Sequence, residues 1–460
     1  MLDIRGAKIL IMGLGTHEGG RSMAAYFASH GAQVTVTDLR RKKDLALPLA
    51  SLKKYQSIKY VLGKHEARDF RTHDLIIQNP AVPNTSRYLA IARKKGIPIT
   101  NEAAFFMERC VATVVGITGT RGKSTVSSMV HALLATIPGK KVFLAGNIGT
   151  TGLASVLDMA KTPDIVVAEL SSWQLEHLAT VQRSPQVALV TNVYPDHLNR
   201  YSSYRAYQNA KENIFQFQRT TDKAFFNYDN VITRRMERIS PGNTYFFSTQ
   251  DAVRGAYISN GVVYWNDGKT VQTLFPWDAS LQRIIPFVEN ALAAIAIARQ
   301  FDITPSAIRR TLLTFKGLQY RLQYIGMRGR AKIMNDSCAT APIAVEKALD
   351  ACPGEIVLIC GGVDKDLPYR NLARHIVQRS AKCIVLPGTA SDKLIRELKR
   401  LKYRELYPVT SLAAAIHKAF SFANASDYIL FSPGAASFNL FENEFDRGEQ
   451  FTKRIHHALS

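Results

Sequence analysis

Short apolar runs alternate with amphipathic stretches from the start of the chain. Lys8-Ile9-Leu10-Ile11-Met12 is a run of strand length that ends in Gly13-Leu14-Gly15. A helical pattern over 21–30 follows, then Gly31 and a second strand over 33–38, Gln-Val-Thr-Val-Thr-Asp. Strand, glycine turn, helix, strand is the signature of a parallel sheet, because a parallel partner is reached only by a crossover. Another apolar run, 75–78, precedes the turn Asn79-Pro80-Ala81-Val82-Pro83. The pattern restarts at Thr113-Val114-Val115-Gly116-Ile117, with a glycine-rich loop and a helix over 124–135. Runs at 141–144, 165–168 and 187–191 predict further strands, and 204–217 and 290–300 predict helices. Residues 222–285 carry more aromatic and turn residues, Trp265 and Trp277 among them, and predict a β-rich insertion. After Phe315-Lys316-Gly317-Leu318 a third set begins, with apolar runs at 355–360, 381–386 and 428–431, each closing on a glycine turn. The expected fold class is α/β with three domains, each on a mainly parallel sheet. They are a Rossmann-like N-terminal domain at 1–110, a P-loop-type central domain at 111–318 and a Rossmann-like C-terminal domain at 319–460.

The length agrees with that count: 460 residues make about three domains at roughly 100–200 residues each. A hydrophobic fraction of 46% and a charged fraction of 21% are ordinary for a globular protein. The net charge of +22 is not. It is compatible with a generally basic solvated surface, with steering of anionic ligands, or with nucleic acid. The basic residues are scattered, the densest runs being Arg40-Arg41-Lys42-Lys43 and Arg93-Lys94-Lys95, and no nucleic-acid motif accompanies them. Five cysteines, an odd number with no C-x-x-C pair, read as reduced thiols rather than a disulfide framework or zinc site. With no signal-peptide pattern and no apolar stretch of about 18 residues or more, the expectation is a soluble, cytoplasmic protein without a membrane partner.

The segment Gly116-Ile117-Thr118-Gly119-Thr120-Arg121-Gly122-Lys123-Ser124-Thr125 is the strongest chemical signal. A glycine turn between strand and helix aims backbone N–H groups at phosphate oxygens, and the helix N-terminus favours negative charge. Lys123 can reach the β- and γ-phosphates, and the hydroxyls of Ser124 or Thr125 can ligate Mg²⁺. The strict G-x-x-x-x-G-K-[ST] pattern fails by one position, at Ile117. Glu169 ends a buried strand, where a carboxylate can hold Mg²⁺ or serve a structural pair. His197 follows the run 187–191 as a metal ligand or a structural histidine. Lys211, on the residues alone, reads as a surface lysine. Gly13, Gly15 and Asp38 form an imperfect dinucleotide-type fingerprint, compatible with a nucleotide or sugar-nucleotide site or with a plain tight turn.

In order along the chain, 116–125, Ala-Gly-Asn-Ile-Gly (145–149), Glu-Leu-Ser-Ser-Trp-Gln-Leu-Glu (169–176), Asn-Val-Tyr-Pro-Asp-His-Leu-Asn-Arg-Tyr (192–201), Asn-Asp-Ser-Cys-Ala-Thr (335–340), Gly-Gly-Val-Asp-Lys (361–365), Ser-Pro-Gly-Ala-Ala-Ser-Phe (432–438) and Asn-Glu-Phe-Asp-Arg-Gly (443–448) resemble the Mur ligase family, most closely its glutamate-adding members. The resemblance implies an ATP- and Mg²⁺-dependent amide ligase of peptidoglycan biosynthesis. It would join D-glutamate to UDP-N-acetylmuramoyl-L-alanine through an acyl phosphate, as a monomer with small-molecule substrates and no nucleic acid. It implies that 1–110 holds the UDP-substrate through Gly15, Thr16, Asp38 and Arg40, with Asn147 on the muramoyl part. The central domain holds ATP through Gly119, Thr120, Gly122, Lys123, Ser124, Thr125 and Asn290, together with Arg321 and Asp336. Ser124, Thr125, Glu169, His197 and Lys211 serve the metals, Lys211 matching the lysine that this family carbamylates with CO₂. Lys123, His197 and Lys211 are the implied catalytic set, and Thr340, Lys365 and Ser437 face the incoming glutamate.

Cys338 and Ala341 depart from the D-S-K-A-T-N form of the resembled motif, and Arg121 stands where its phosphate loop has asparagine. A folylpolyglutamate-type or other Mur-type ligase using another acceptor, such as L-glutamate, is the alternative within the same chemistry. An NAD-dependent oxidoreductase would use Gly13, Gly15 and Asp38 but leaves the lysine-bearing phosphate loop without a purpose.

Overall fold

The computed structural model describes residues 2–15, 18–148, 151–198, 200–437 and 440–459, and among these the strands form three sheets. The first has five strands in the order Lys59–Leu62, Gln33–Asp38, Lys8–Met12, Leu75–Gln78 and Ile99–Thr100, all parallel. That is the doubly wound order, in which chain direction across the sheet reverses beside Lys8–Met12. Ile9, Leu10, Ile11, Val34, Val36 and Ile76 are almost wholly buried, as expected for parallel strands covered on both faces.

The second sheet has nine strands in the order Val271–Pro276, Val262–Asn266, Gly255–Ser259, Asn243–Ser248, Lys223–Asn227, Val187–Val190, Thr113–Thr118, Ile165–Glu169 and Val142–Gly146. It corrects the expectation of an insertion at 222–285. Lys223–Asn227, Asn243–Ser248 and Gly255–Ser259 extend the same parallel sheet, and only the last two pairings are antiparallel. Their aromatics belong to the main core, where Phe225, Tyr245 and Trp265 stack in succession. The helix Val288–Gln300 is buried on all sides from Ala291 to Ala298 and packs on the helix Lys123–Leu134, whose Val126, Val130 and Leu133 are fully covered. Full burial of such side chains contributes about 1.5–3 kcal/mol each.

The third sheet has six strands, Gln323–Arg328, Ala331–Asn335, Tyr428–Phe431, Ile356–Cys360, Lys382–Val385 and Leu406–Pro408, parallel except for the first pair. The chain divides into two compact units. One comprises 1–193 with 205–315 and so holds the first two sheets; the other comprises 194–204 with 316–460.

Candidate active site

In the first unit, Ile117 pairs with Glu169 and Thr118 with Val190. This register brings the C-terminal ends of three strands level, so the loops leaving them share one edge. Gly119 leaves at φ 151° and Gly122 at φ 64°, where L side chains are strained. A Cβ on Gly119 would collide with the Thr191 hydroxyl, and one on Gly122 with the Asn290 side chain. Asn192 holds the turn between them. Its carbonyl accepts the Thr120 amide at 2.9 Å, its Oδ1 accepts the Arg121 amide at 2.8 Å, and its Nδ2 donates to the Arg121 carbonyl at 3.1 Å. The helix Lys123–Leu134 starts at once. Its first intrahelical amide bond runs from Val126 to the Gly122 carbonyl, 3.2 Å, so the preceding amides point out of its N-terminus. Ser124 is buried and Thr125 half-buried in that turn, and Lys123 Nζ lies 3.4 Å from the Gly119 carbonyl.

Lys211 overturns its surface reading. It is 2% exposed, its Nζ donates to the Gly119 carbonyl at 2.9 Å and lies 3.4 Å from Thr118 Oγ1, and it sits over the Tyr207 ring at 4.8 Å. The Tyr207 hydroxyl in turn meets Thr120 Oγ1 at 3.0 Å. Glu169 is 1% exposed; its Oε1 accepts Asn147 Nδ2 at 3.0 Å, and its Oε2 is buried with no hydrogen-bond partner among the described residues. The Asn147 amide donates to the Glu169 carbonyl at 2.8 Å, fixing the two segments together. A buried carboxylate oxygen left without a donor among the described residues fits a cation. Among the described residues no three His, Cys, Asp or Glu side chains converge on one point, so the hydroxyls and Lys211 matter to any such site.

The N-terminal turn is built around Asp38. Its Oδ2 accepts the amides of Leu14 at 3.0 Å and Gly15 at 3.3 Å, its Oδ1 accepts the Arg40 amide at 2.9 Å, and the Arg40 guanidinium lies on both oxygens at 3.2–3.3 Å. Burial raises the pKa of this carboxyl, but the bonds and charge from Arg40 and the Gly15 amide outweigh it and hold the carboxyl below its usual range. Thr16 lies outside the described residues.

The second unit gathers the remaining positions. Asp336 accepts the amide of Leu322, the residue after Arg321, at 3.1 Å and the Ser432 hydroxyl at 2.8 Å. Lys365 Nζ donates to Thr340 Oγ1 at 3.2 Å, and Ser437 Oγ is buried without a partner among the described residues. Burial pushes the Cys338 thiol up to about 11, with the Arg321 charge opposing. His197 belongs to this unit; it takes φ 54°, its amide donates to Asp196 Oδ1 at 2.9 Å and its ring is partly exposed.

Sequence reading missed three residues that hold these loops. Tyr207 could have been found, since it lies one helical turn before Lys211 and shares its face. Asn192 lies inside a motif already singled out. Arg447, 1% exposed, donates to Ser337 Oγ at 3.0 Å, Ser337 O at 2.7 Å and Ala435 O at 3.0 Å, joining the loops at 335–340 and 432–437. It lies inside the segment 443–448 already singled out, but its charge and neighbours alone do not distinguish it from a surface arginine.

Three family models match the chain: the Mur ligase MurD-like N-terminal domain at 7–101, the Mur ligase middle domain at 117–298 and the Mur ligase glutamate ligase domain at 320–434. The UDP-N-acetylmuramoylalanine–D-glutamate ligase of Roseiflexus sp. (strain RS-1) is 37% identical, with 99% of each chain covered. The protein of the same name from Borreliella afzelii (strain PKo) is 32% identical, with 98% of each covered. Among solved structures, the UDP-N-acetylmuramate–alanine ligase MurC from Thermotoga maritima superposes with a TM-score of 0.62 at 20% identity, covering 98% of this chain and 100% of the other, a likeness of fold. Sequence and fold together place the molecule: the chain belongs to the Mur ligase family, with the UDP-N-acetylmuramoylalanine–D-glutamate ligases as its relatives along its whole length.

Proposed function

We propose that the chain joins D-glutamate to UDP-N-acetylmuramoyl-L-alanine at the expense of ATP, as a cytoplasmic monomer in peptidoglycan biosynthesis. The observation that carries the reading is the closure of a glycine phosphate turn by a buried lysine, Lys211, with a buried and half-unsatisfied carboxylate, Glu169, on the adjoining strand end. No helix among the described residues is long and apolar enough to cross a membrane.

A carboxylate is a poor acyl donor, so the alanyl carboxylate first attacks the γ-phosphorus, giving an acyl phosphate and ADP. The glutamate amine then attacks the acyl carbon and phosphate leaves. Two anions meet in the first step, so positioning and neutralisation of charge dominate catalysis. Lys123 and the first-turn amides of its helix bind the phosphates, with Gly119, Thr120, Gly122 and Asn290 shaping the nucleotide site of the first unit; Arg321 and Asp336, in the other unit, are carried over as nucleotide-binding positions from the family resemblance alone. Ser124, Thr125, Glu169 and Lys211 would hold Mg²⁺, which would neutralise phosphate charge, and His197, in the other unit, is carried over as a metal ligand from the family resemblance alone. Carbamylation turns Lys211 from a cation into an anion, and its nitrogen keeps one N–H for the Gly119 carbonyl. Gly15, Thr16, Asp38, Arg40 and Asn147 receive the UDP-substrate, and Thr340, Lys365 and Ser437 the glutamate. In domain terms this assigns 1–110 to the UDP-substrate, 111–318 to ATP and 319–460 to glutamate.

The test is phosphate release by the full chain with product mass determined. Turnover is expected only with ATP, Mg²⁺, UDP-N-acetylmuramoyl-L-alanine and D-glutamate together. A panel of other acceptors, L-glutamate included, decides the alternative: turnover with another acceptor and none with D-glutamate overturns the assignment.

A further inference from the structure

The turn at Gly13–Gly15 and the loop presenting Asn147 leave different sheets, yet one buried carboxylate touches the segments behind both. Glu102 opens the helix Glu102–Arg109 and is 4% exposed. Its Oε1 accepts the Ser22 hydroxyl at 2.5 Å and the Ala154 amide at 3.1 Å. Ser22 lies in the helix Glu18–Ser29, whose start packs so closely on the glycine turn that a Cβ on Gly20 would overlap the Gly13 and Leu14 carbonyls. On the other side, a Cβ on Gly152 would overlap both Ser22 Oγ and Glu102 Oε1. One residue back, the Thr151 carbonyl accepts the Gly146 amide at 2.9 Å and so closes the loop that carries Asn147. Asn101, beside Glu102, caps the same helix through the Ala104 amide at 2.9 Å and donates to the Gln174 carbonyl at 2.9 Å. Gln174 sits in the short helix Ser172–Leu175 that follows Glu169.

Packing alone does not call for a carboxylate here, since burying one is costly unless its bonds matter. We infer that Glu102 is a positioning residue that fixes the spacing between the Gly13–Gly15 turn and the Asn147–Glu169 pair, and so holds the two ends of one long substrate in register. This rests on the proposed function, in which the nucleotide end lies at the first and the acyl end at the second. Neither of those places uses Glu102 directly. Its loss therefore leaves the nucleotide end bound and misplaces the carboxylate that must meet ATP.

Full-length Glu102→Ala, Glu102→Gln and Ser22→Ala are compared with the unsubstituted chain by Kd for UDP alone, KM for ATP and kcat/KM for UDP-N-acetylmuramoyl-L-alanine. For Glu102→Ala the first two are expected to hold, while kcat/KM falls about 10–100-fold, the scale of a displacement of about 1 Å at a reacting group. Glu102→Gln keeps an acceptor for Ser22 and Ala154 and recovers most of the loss. Ser22→Ala shows the same split in weaker form and carries the test should Glu102→Ala not fold. A UDP Kd that worsens in step with kcat/KM, an unchanged kcat/KM, or a Gln variant as impaired as the Ala variant overturns the inference. An unsubstituted chain that binds UDP but forms no product overturns the proposed function itself, and the positioning role with it.

Discussion

Glu169 and Asp38 are both buried carboxylates at strand ends, and their partners set them apart. Asp38 has donors on both oxygens, so its charge orders the turn that would receive the UDP-substrate. Glu169 has one oxygen satisfied by Asn147 and one without a donor among the described residues, so its charge is available to a ligand. Glu169→Gln keeps the shape and removes the charge. Phosphate release is expected to fall about 10²–10³-fold, the scale for one preorganised electrostatic group, with Tm held. Wild-type turnover in steady-state assay would contradict the role. Asp38 instead predicts a pH effect on stability. Its folded pKa lies below the ordinary 3.8, so its contribution is present above that value and is lost as pH falls through the lower folded pKa. Thermal unfolding followed from pH 7 into acid should show Asp38→Asn less stable at neutral pH and converging on the wild type at the acid end. A constant difference across the range would refute the linkage. Cys338, held neutral with its pKa at about 11, supplies no charge to its loop near neutral pH.

At the scale of elements, the turn at 119–122 is specified twice, by its backbone angles and by what lies against it. Gly119→Ala must strain the backbone and displace Thr191, which also donates to the Arg121 carbonyl at 2.6 Å. A loss of about 1–3 kcal/mol in urea unfolding is expected, together with weakened ATP binding. An Ala variant as stable as the wild type would refute the steric account. The glycine turn, its strand and its helix were legible because glycine spacing and hydrophobic period carry that information locally. The strand Gln323–Arg328 was not, because its half-exposed residues lack a clean alternation, and Ala331–Asn335 was not, because it buries the polar Asn335 and leaves the apolar Met334 partly exposed. The reading of 222–285 as an insertion failed because aromatic composition reports strand content, not which sheet the strands join. The helix Tyr204–Glu212 ends five residues before the expected 217, and its buried residues are Tyr207, Gln208, Ala210, Lys211 and Glu212, too polar for a periodicity argument. Lys211 is buried and donates a hydrogen bond to the Gly119 carbonyl, a partner set by tertiary structure and invisible in the local pattern.

For the whole molecule, the net charge of +22 is the one compositional feature that neither the fold nor the residues of the site require. Arg41, Lys42 and Lys43 are exposed and follow directly on Asp38 and Arg40, at the C-terminal end of the strand Gln33–Asp38. Arg40 is engaged with Asp38, but these three cations project into solvent at the edge where ligands of doubly wound sheets bind. A cationic rim raises the encounter rate of an anionic ligand, and salt removes the effect as the screening length falls to about 10 Å at 0.1 M. Replacing Arg41, Lys42 and Lys43 together by serine is therefore expected to raise KM for the UDP-substrate several-fold at low ionic strength, on the order of what steering supplies, while kcat stays unchanged. The wild-type KM should rise with added salt and meet that of the variant, and stopped-flow association rates should show the same convergence. If the variant differs from the wild type equally at low and high salt, the residues act by contact rather than by field. If it does not differ at all, the excess charge has no part in substrate capture, and the basic surface is then a property of solvation alone.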